Sequence, residues 1–234
     1  MKTYVMGDIH GNYKALCQCL ERSQFDYTVD RLIVLGDVSD GFPQVRECIN
    51  ELLKIKHLNY IMGNHDEWVL RWATEGYKDM IWLQQGGMNT MISYDHKSMP
   101  QAHIDFLKNA HYFLEENGRV FIHAGINLKL SMDRQDKEVL VWDRNLMNEA
   151  YIKHQLDPLY RFGPYREIYI GHTPTQVFQS LKPLHMCNVW AMDTGAGWTG
   201  KLTIMDVDSK KFWQSDLATD LYKENGRQAK FSKV

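Results

Sequence analysis

Seven side chains with oxygen or nitrogen donors stand beside glycines in five short segments: Asp8 and His10, Asp37, Asn64 and His65, His123, and His172. The glycines are Gly7, Gly11, Gly36, Gly63, Gly125 and Gly171. No cysteine is among the donors, so the set suits borderline-hard divalent cations such as manganese, iron or zinc. Two such ions, roughly 3.5–4 Å apart, can share one carboxylate and bridge a water. That arrangement lowers the water's pKa and clamps the oxygens of an in-line displacement at phosphorus. The leaving oxygen then needs a proton, and an imidazole beside the ions but bound to neither suits that task. A single histidine at a strand end ordinarily satisfies backbone groups and nothing more. Five recurrences in chain order do not fit that explanation.

Each donor follows a short apolar run. "TYVMGD", "RLIVLGD", "LNYIMGN", "GRVFIHAG" and "REIYIGH" read as strands that end on the residues above, and "CNVWAMDTG" reads as another. Helical stretches lie between them, "NYKALCQCLERS" and "PQVRECINELLKIK" among them, with Pro43 suited to a first helical turn. Alternation of this kind predicts an α/β fold. Near-continuous apolar strands imply a sheet covered on both faces. Ligands of open α/β sheets bind outside the carboxyl ends of the strands, where these donors fall. Asp8 and His10 are two residues apart, so an extended segment would point both side chains the same way. "KLTIMDVDSKKFWQS" reads as a hairpin around an Asp-Ser-Lys turn.

Residues 1–234 read as a single domain, with residues 68–118 as a helical insertion or cap between the third and fourth donor segments. Trp68, Trp72, Trp82 and Tyr94 within it could stack a nucleobase or a tyrosine ring, but their helical spacing favours the cap's own small core. Gly86-Gly87 marks a hinge or a turn. "DTGAGW", from Asp193 to Trp198, is placed to buttress the site or to serve a turn, and the final "KENGRQAKFSKV" reads as a solvated tail with some helix.

Composition narrows the class. The 234 residues carry 44% hydrophobic and 24% charged side chains, as in ordinary globular domains. The net charge of -2 leaves no electrostatic footprint for a nucleic-acid polymer or an anionic membrane. Cys17, Cys19, Cys48 and Cys187 lack the paired spacing of zinc or redox motifs and read as reduced thiols. The "MKT" start followed by "GDIHGN" is no signal peptide, and no apolar run approaches a membrane span, so the expected location is cytoplasmic.

The segments "GDIHG", "GDVSDG", "GNHD", "HAG" and "GHT" resemble the signature motifs of the phosphoprotein phosphatase family, within the calcineurin-like metallophosphoesterase superfamily. The likeness is to small bacterial-type members, which include serine/threonine protein phosphatases and symmetrical diadenosine tetraphosphate hydrolases. It implies two mixed β-sheets packed as a sandwich with helices outside. It implies that Asp8 and His10 bind one metal, that Asp37 bridges both, and that Asn64, His123 and His172 bind the second. His65 would be the general acid, oriented by Asp40. Manganese is the first expected metal, with iron or zinc as alternatives.

Two departures bear on substrate. The family's second motif usually ends in an arginine that grips phosphate, and Gly41 stands there. Another arginine usually precedes Gly-Asn-His, and Met62 stands there. A third phosphate-binding arginine corresponds to Arg144 in "LVWDRN", so a phosphoryl group would be held by the metals, Arg144 and Asn64. Arg71 of the insertion is a further candidate, though a solvated helix residue is the commoner fate of such an arginine. The expected function is hydrolysis of phosphate monoesters by metal-activated water, without a phosphoenzyme. The substrate would be a phosphoprotein or a small phosphoester. Dinucleoside polyphosphate or phosphodiester hydrolysis is the alternative enzyme reading, and a degenerate phospho-ligand-binding module the non-enzymatic one.

Overall fold

A computed structural model describes residues 1–222; the tail expected over residues 223–234 lies outside the described residues. The strands are β1 (Thr3–Met6), β2 (Arg31–Val34), β3 (His57–Tyr60), β4 (Phe113–Glu116), β5 (Arg119–Ile122), β6 (Glu167–Ile170), β7 (Leu184–Met186), β8 (Val189–Ala191), β9 (Thr203–Asp206) and β10 (Phe212–Gln214). They form two five-stranded mixed sheets, ordered β10-β9-β1-β2-β3 and β4-β5-β6-β8-β7. The first sheet pairs β1, β2 and β3 in parallel, in the register Val5↔Ile33↔Asn59. The second pairs β5, β6 and β8 in parallel. The expected sandwich of two mixed sheets is the fold observed.

Period-two alternation explains why the sheets pack face to face. Tyr4, Met6, Leu32 and Val34 point outward, beneath helices α1 (Tyr13–Arg22) and α2 (Val45–Leu52). Val5, Ile33, Leu35 and Ile61 point inward, against Phe121, Tyr169 and Met192. Phe121 and Tyr169 stack at 4.8 Å between the sheets. Each such buried side chain contributes about 1.5–3 kcal/mol relative to exposure. The strands that deliver the donors are therefore fixed from both sides.

The helical region begins earlier and ends sooner than the 68–118 reading. Helix α3 spans Asn64–Glu75, followed by α4 (Met80–Trp82), a kinked turn at Leu83–Gly87, α5 (Met88–Ser93) and α6 (Gln101–Lys108). Phe113–Glu116 is then strand β4, at the edge of the second sheet. Strands β4 and β7 escape a sequence reading because edge strands are half solvated, and "FLEE" and "LHM" show no apolar run. The later helices are α7 (Lys137–Trp142), α8 (Asn145–Leu156) and α9 (Ala218–Leu221). The expected C-terminal hairpin is present as antiparallel β9 and β10.

Candidate metal centre and catalytic cavity

The turns after β1, β2, β3, β5 and β6 bring all seven predicted donors to one place. His10 Nε2 lies 3.6 Å from Asp37 Oδ2 and 4.0 Å from Asp8 Oδ2. His123 Nε2 lies 3.5 Å from the same Asp37 oxygen and 3.0 Å from Asn64 Oδ1. The His123 and His172 rings are 5.0 Å apart. Two groups of donor atoms, each mutually within 4.8 Å, meet at Asp37: His10, Asp37 and His65, and Asp37, His123 and His172. Asp37 is thus common to both.

The backbone at these turns departs from the extended geometry expected for Asp8 and His10. Strand β1 ends at Met6, and His10 has φ 51°. Asp37, Asp40 and His172 also have positive φ, at 51°, 65° and 63°. Non-glycine residues held there cost about 1–3 kcal/mol each and persist where the surroundings over-determine them. Here the reversal re-aims side chains that would otherwise continue along the strand. Close approach explains two of the neighbouring glycines. A Cβ at Gly63 would lie 2.0 Å from Asp37 Oδ1, and one at Gly171 would lie 2.2 Å from Asp8 Oδ1.

Hydrogen bonds fix the tautomers. The Nδ1–H groups of His10 and His123 donate to the carbonyls of Ser39 (2.9 Å) and Leu35 (2.7 Å). A carbonyl can only accept, so the Nε2 lone pairs face the cluster. Lone pairs of His10, His123, Asn64 and Asp37 then converge on one another. The buried Nε2 of His172 has no hydrogen-bond partner among the described residues. Convergent acceptors of this kind fit divalent cations bound among them.

Electrostatics agree. Burial, then the carboxylates of Asp193 and Asp37, push the Asp8 carboxyl well above its usual range. Nearby cations would reverse that effect. Burial lowers His123 to about 4 and lowers His172 further, so both rings are neutral donors near pH 7.

His65 is different in its partner. It sits in the first turn of α3, and its backbone N–H donates to Asp37 Oδ1 at 3.0 Å. Its Nδ1 lies 2.7 Å from Asp40 Oδ2. The Asp40 carboxylate is fully buried, so Nδ1 carries the proton and Nε2 is the atom left to face the cavity.

Further residues support the site, of which Asp66 and Thr90 carry no role in the sequence reading. Asp66 accepts from the backbone N–H groups of Asp37 (2.8 Å), Gly63 (3.1 Å) and Ser39 (3.2 Å), and from Tyr60 Oη (2.6 Å). It ties the turn after β2 to the turn after β3. Its only signal is its place as the last letter of "GNHD". Trp82 and Thr90 bond Asp40 from the insertion. Asp193, from "DTGAGW", reaches the cavity and accepts from Gly195 N–H at 2.9 Å.

The cavity above the donors measures about 170 Å³. Its floor is His10, Asp37, Asn64, His65 and His172; its walls include Gln85, Trp142, Arg144, Val177 and Trp198. Arg144 thus lines the cavity, with Nη1 3.4 Å from Thr173 Oγ1. Arg71 does not line it; it pairs with Glu75 at 3.5 Å and stacks on Tyr77 at 4.0 Å. At Gly41, φ is 77° and a Cβ would lie 2.8 Å from His10 Cβ, so this turn does not accommodate an arginine. Met62 is buried. Of the aromatics in the insertion, Trp72, Trp82 and Tyr94 pack together in the core, with ring centroids 6.0–6.1 Å apart. Trp68 instead packs edge-on between His65 and Trp142.

A family model described as calcineurin-like phosphoesterase matches residues 1–191. The chain is 27% identical to serine/threonine-protein phosphatase 1 of Salmonella typhimurium, across 87% of this chain and 91% of that one. It is 22% identical to the symmetrical bis(5'-nucleosyl)-tetraphosphatase of Pseudomonas putida, across 94% of each. Among solved structures it resembles a protein described as a candidate diadenosine tetraphosphatase, with TM-score 0.68, 17% identity, and 91% and 92% of the two chains covered. It also resembles a metallophosphoesterase from Sphaerobacter thermophilus, with TM-score 0.58, 16% identity, and 93% and 89% covered.

Proposed function

The chain belongs to the calcineurin-like phosphoesterase family, and from that premise we propose that it hydrolyses phosphate monoesters in the manner of serine/threonine protein phosphatases. The observation that carries this reading is Asp37, a single buried carboxylate common to two groups of convergent donors. In the proposed assignment Asp8 and His10 hold one divalent ion, Asn64, His123 and His172 hold the other, and Asp37 serves both. Manganese is the metal we favour, on the all-oxygen-and-nitrogen donor set. When bound, the two ions supply positive charge to the phosphoryl oxygens and acidify the attacking water.

The chain's own residues do the rest. Arg144 and Asn64 orient the phosphoryl group from the wall and floor. His65 presents a protonated Nε2 to the leaving oxygen, while Asp40 holds its Nδ1–H and stabilises the imidazolium. The described cavity lining contains no serine, threonine or cysteine, which supports direct attack by water over a phosphoenzyme on a hydroxyl or thiol. Within residues 68–118 the helices up to Lys108 act in this reading as a cap within one domain, since Gln85 borders the cavity. Four unpaired thiols support a reducing, cytoplasmic setting.

Hydrolysis of dinucleoside polyphosphates is the second reading. It is supported by the indoles of Trp142 and Trp198 beside the donors, which offer stacking faces, and by the activity named for the Pseudomonas putida relative. Manganese-loaded protein assayed against phosphopeptides, para-nitrophenyl phosphate and dinucleoside polyphosphates separates the two. The proposal expects the highest kcat/KM on phosphomonoesters; a clear preference for dinucleoside polyphosphates overturns it. Phospho-ligand binding with no turnover on any member would indicate a binding module. On the preferred monoester, Arg144→Ala should raise KM about tenfold with a smaller change in kcat, the effect of losing one charge-assisted contact. Steady-state kinetics check this.

A further inference from the structure

We propose that Trp82 and Thr90, both from the helical insertion, are positioning residues for proton transfer, acting on His65 through Asp40. The inference rests on His65 being the general acid. The Asp40 carboxylate is fully buried and accepts from three side chains. His65 Nδ1 reaches Oδ2 at 2.7 Å. Trp82 Nε1–H straddles both oxygens at 3.0 and 3.1 Å. Thr90 Oγ1 reaches Oδ1 at 2.6 Å. The Thr90 hydroxyl also accepts the Asp40 backbone N–H at 2.9 Å, which directs its proton to the carboxylate.

These contacts have a defined consequence. A buried carboxylate is costly unless each oxygen is bonded, and Trp82 and Thr90 supply those bonds from the insertion. Both carboxylate oxygens are then held by side chains other than the imidazole. Their positions set the direction of His65 Nδ1–H, and with it the direction of Nε2 into the cavity. Trp82 is held in turn: a Cβ at Gly87 would lie 2.3 Å from its Cε2. Gly87 closes the kinked turn Leu83–Gly87, in which Gly86 has φ 108° and which also carries Gln85 to the cavity wall. Asn89 donates to the carbonyl of Gly41, the residue after Asp40. The insertion therefore grips the Asp40 turn through three side chains and reaches the cavity with a fourth.

The test uses the full-length, manganese-loaded protein and aryl phosphates whose phenol leaving groups run from dinitrophenol to phenol. A proton donor matters most where the leaving oxygen is most basic. Trp82→Phe and the near-isosteric Thr90→Val should lower kcat on phenyl phosphate about tenfold, and on dinitrophenyl phosphate less than about twofold, a share of what general-acid catalysis supplies. Bound metal and KM should stay as in the wild type. Thr90→Ser, which retains the hydroxyl, should restore the phenyl phosphate rate. Equal losses on both substrates, or none, would overturn the proposal, since a packing role has no reason to follow the leaving group. His65→Asn serves as the reference. If it shows the leaving-group dependence and the insertion variants do not, the positioning role falls alone. If it shows none, the general-acid assignment falls and takes the positioning role with it. Should Trp82→Phe fold poorly, Thr90→Val and Thr90→Ser decide.

Discussion

Asp37→Asn should lower turnover by about 10³-fold or more, equivalent to about 4 kcal/mol of transition-state stabilisation. It should also reduce bound metal from two ions per chain to one or none, measured by elemental analysis after dialysis. The substitution is nearly isosteric. An asparagine oxygen can still accept the His65 backbone N–H that now meets Asp37 Oδ1 at 3.0 Å, so the fold has no reason to suffer. What is lost is the negative charge common to the two donor groups. Of the other residues in the proposed set only Asp8 is a carboxylate, so Asp8 alone would then bring negative charge to the ions. A thermal melt unchanged within a few degrees would separate this effect from unfolding. Full activity with two ions retained would show that Asp37 does not serve both metals.

His65→Asn should lower kcat by about 10²–10⁴-fold, the range that a positioned proton donor supplies. Metal content should stay unchanged. That second clause discriminates, because His65 stands close enough to His10 and Asp37 to be mistaken for a ligand. Its Nδ1 is committed to Asp40 at 2.7 Å, and one imidazole nitrogen cannot both bind an ion and carry the transferred proton. If the variant lost an ion with its activity, His65 would be a ligand and the proton donor would have to be sought elsewhere. Elemental analysis and single-turnover kinetics on the same preparation answer both parts.

The sequence made much of the sandwich readable, because its strands are apolar on both faces and each buried run ends on a polar donor. "RLIVLGD" could hardly be anything but a covered strand, and β2 buries Leu32, Ile33 and Val34. Convergence of the donors follows from parallel strands presenting their carboxyl ends on one side, which needs no knowledge of side-chain rotamers. What escaped the reading was of two kinds. Edge strands β4 and β7 carry too little apolar surface to stand out. Contacts across long sequence separations leave no local pattern. The bond from Trp82 to Asp40 spans 42 residues, and the tryptophan's helical spacing is explained equally well by the core it also joins. The reversal at His10 was likewise hidden, since a non-glycine residue at positive φ is set by surrounding turns and not by its own type. Gly41 is clearer in structure than in sequence: the missing arginine there corresponds to a left-handed turn pressed on His10.

The central claim is that two divalent ions share Asp37 and are required for hydrolysis. Its most direct test is to strip the protein with a chelator and titrate manganese back, following bound metal and phosphomonoester turnover in the same samples. The account predicts negligible turnover without metal, two ions bound per chain at saturation, and activity that rises with occupancy of both sites. Full turnover by metal-free protein, or full activity at one ion per chain, would contradict it.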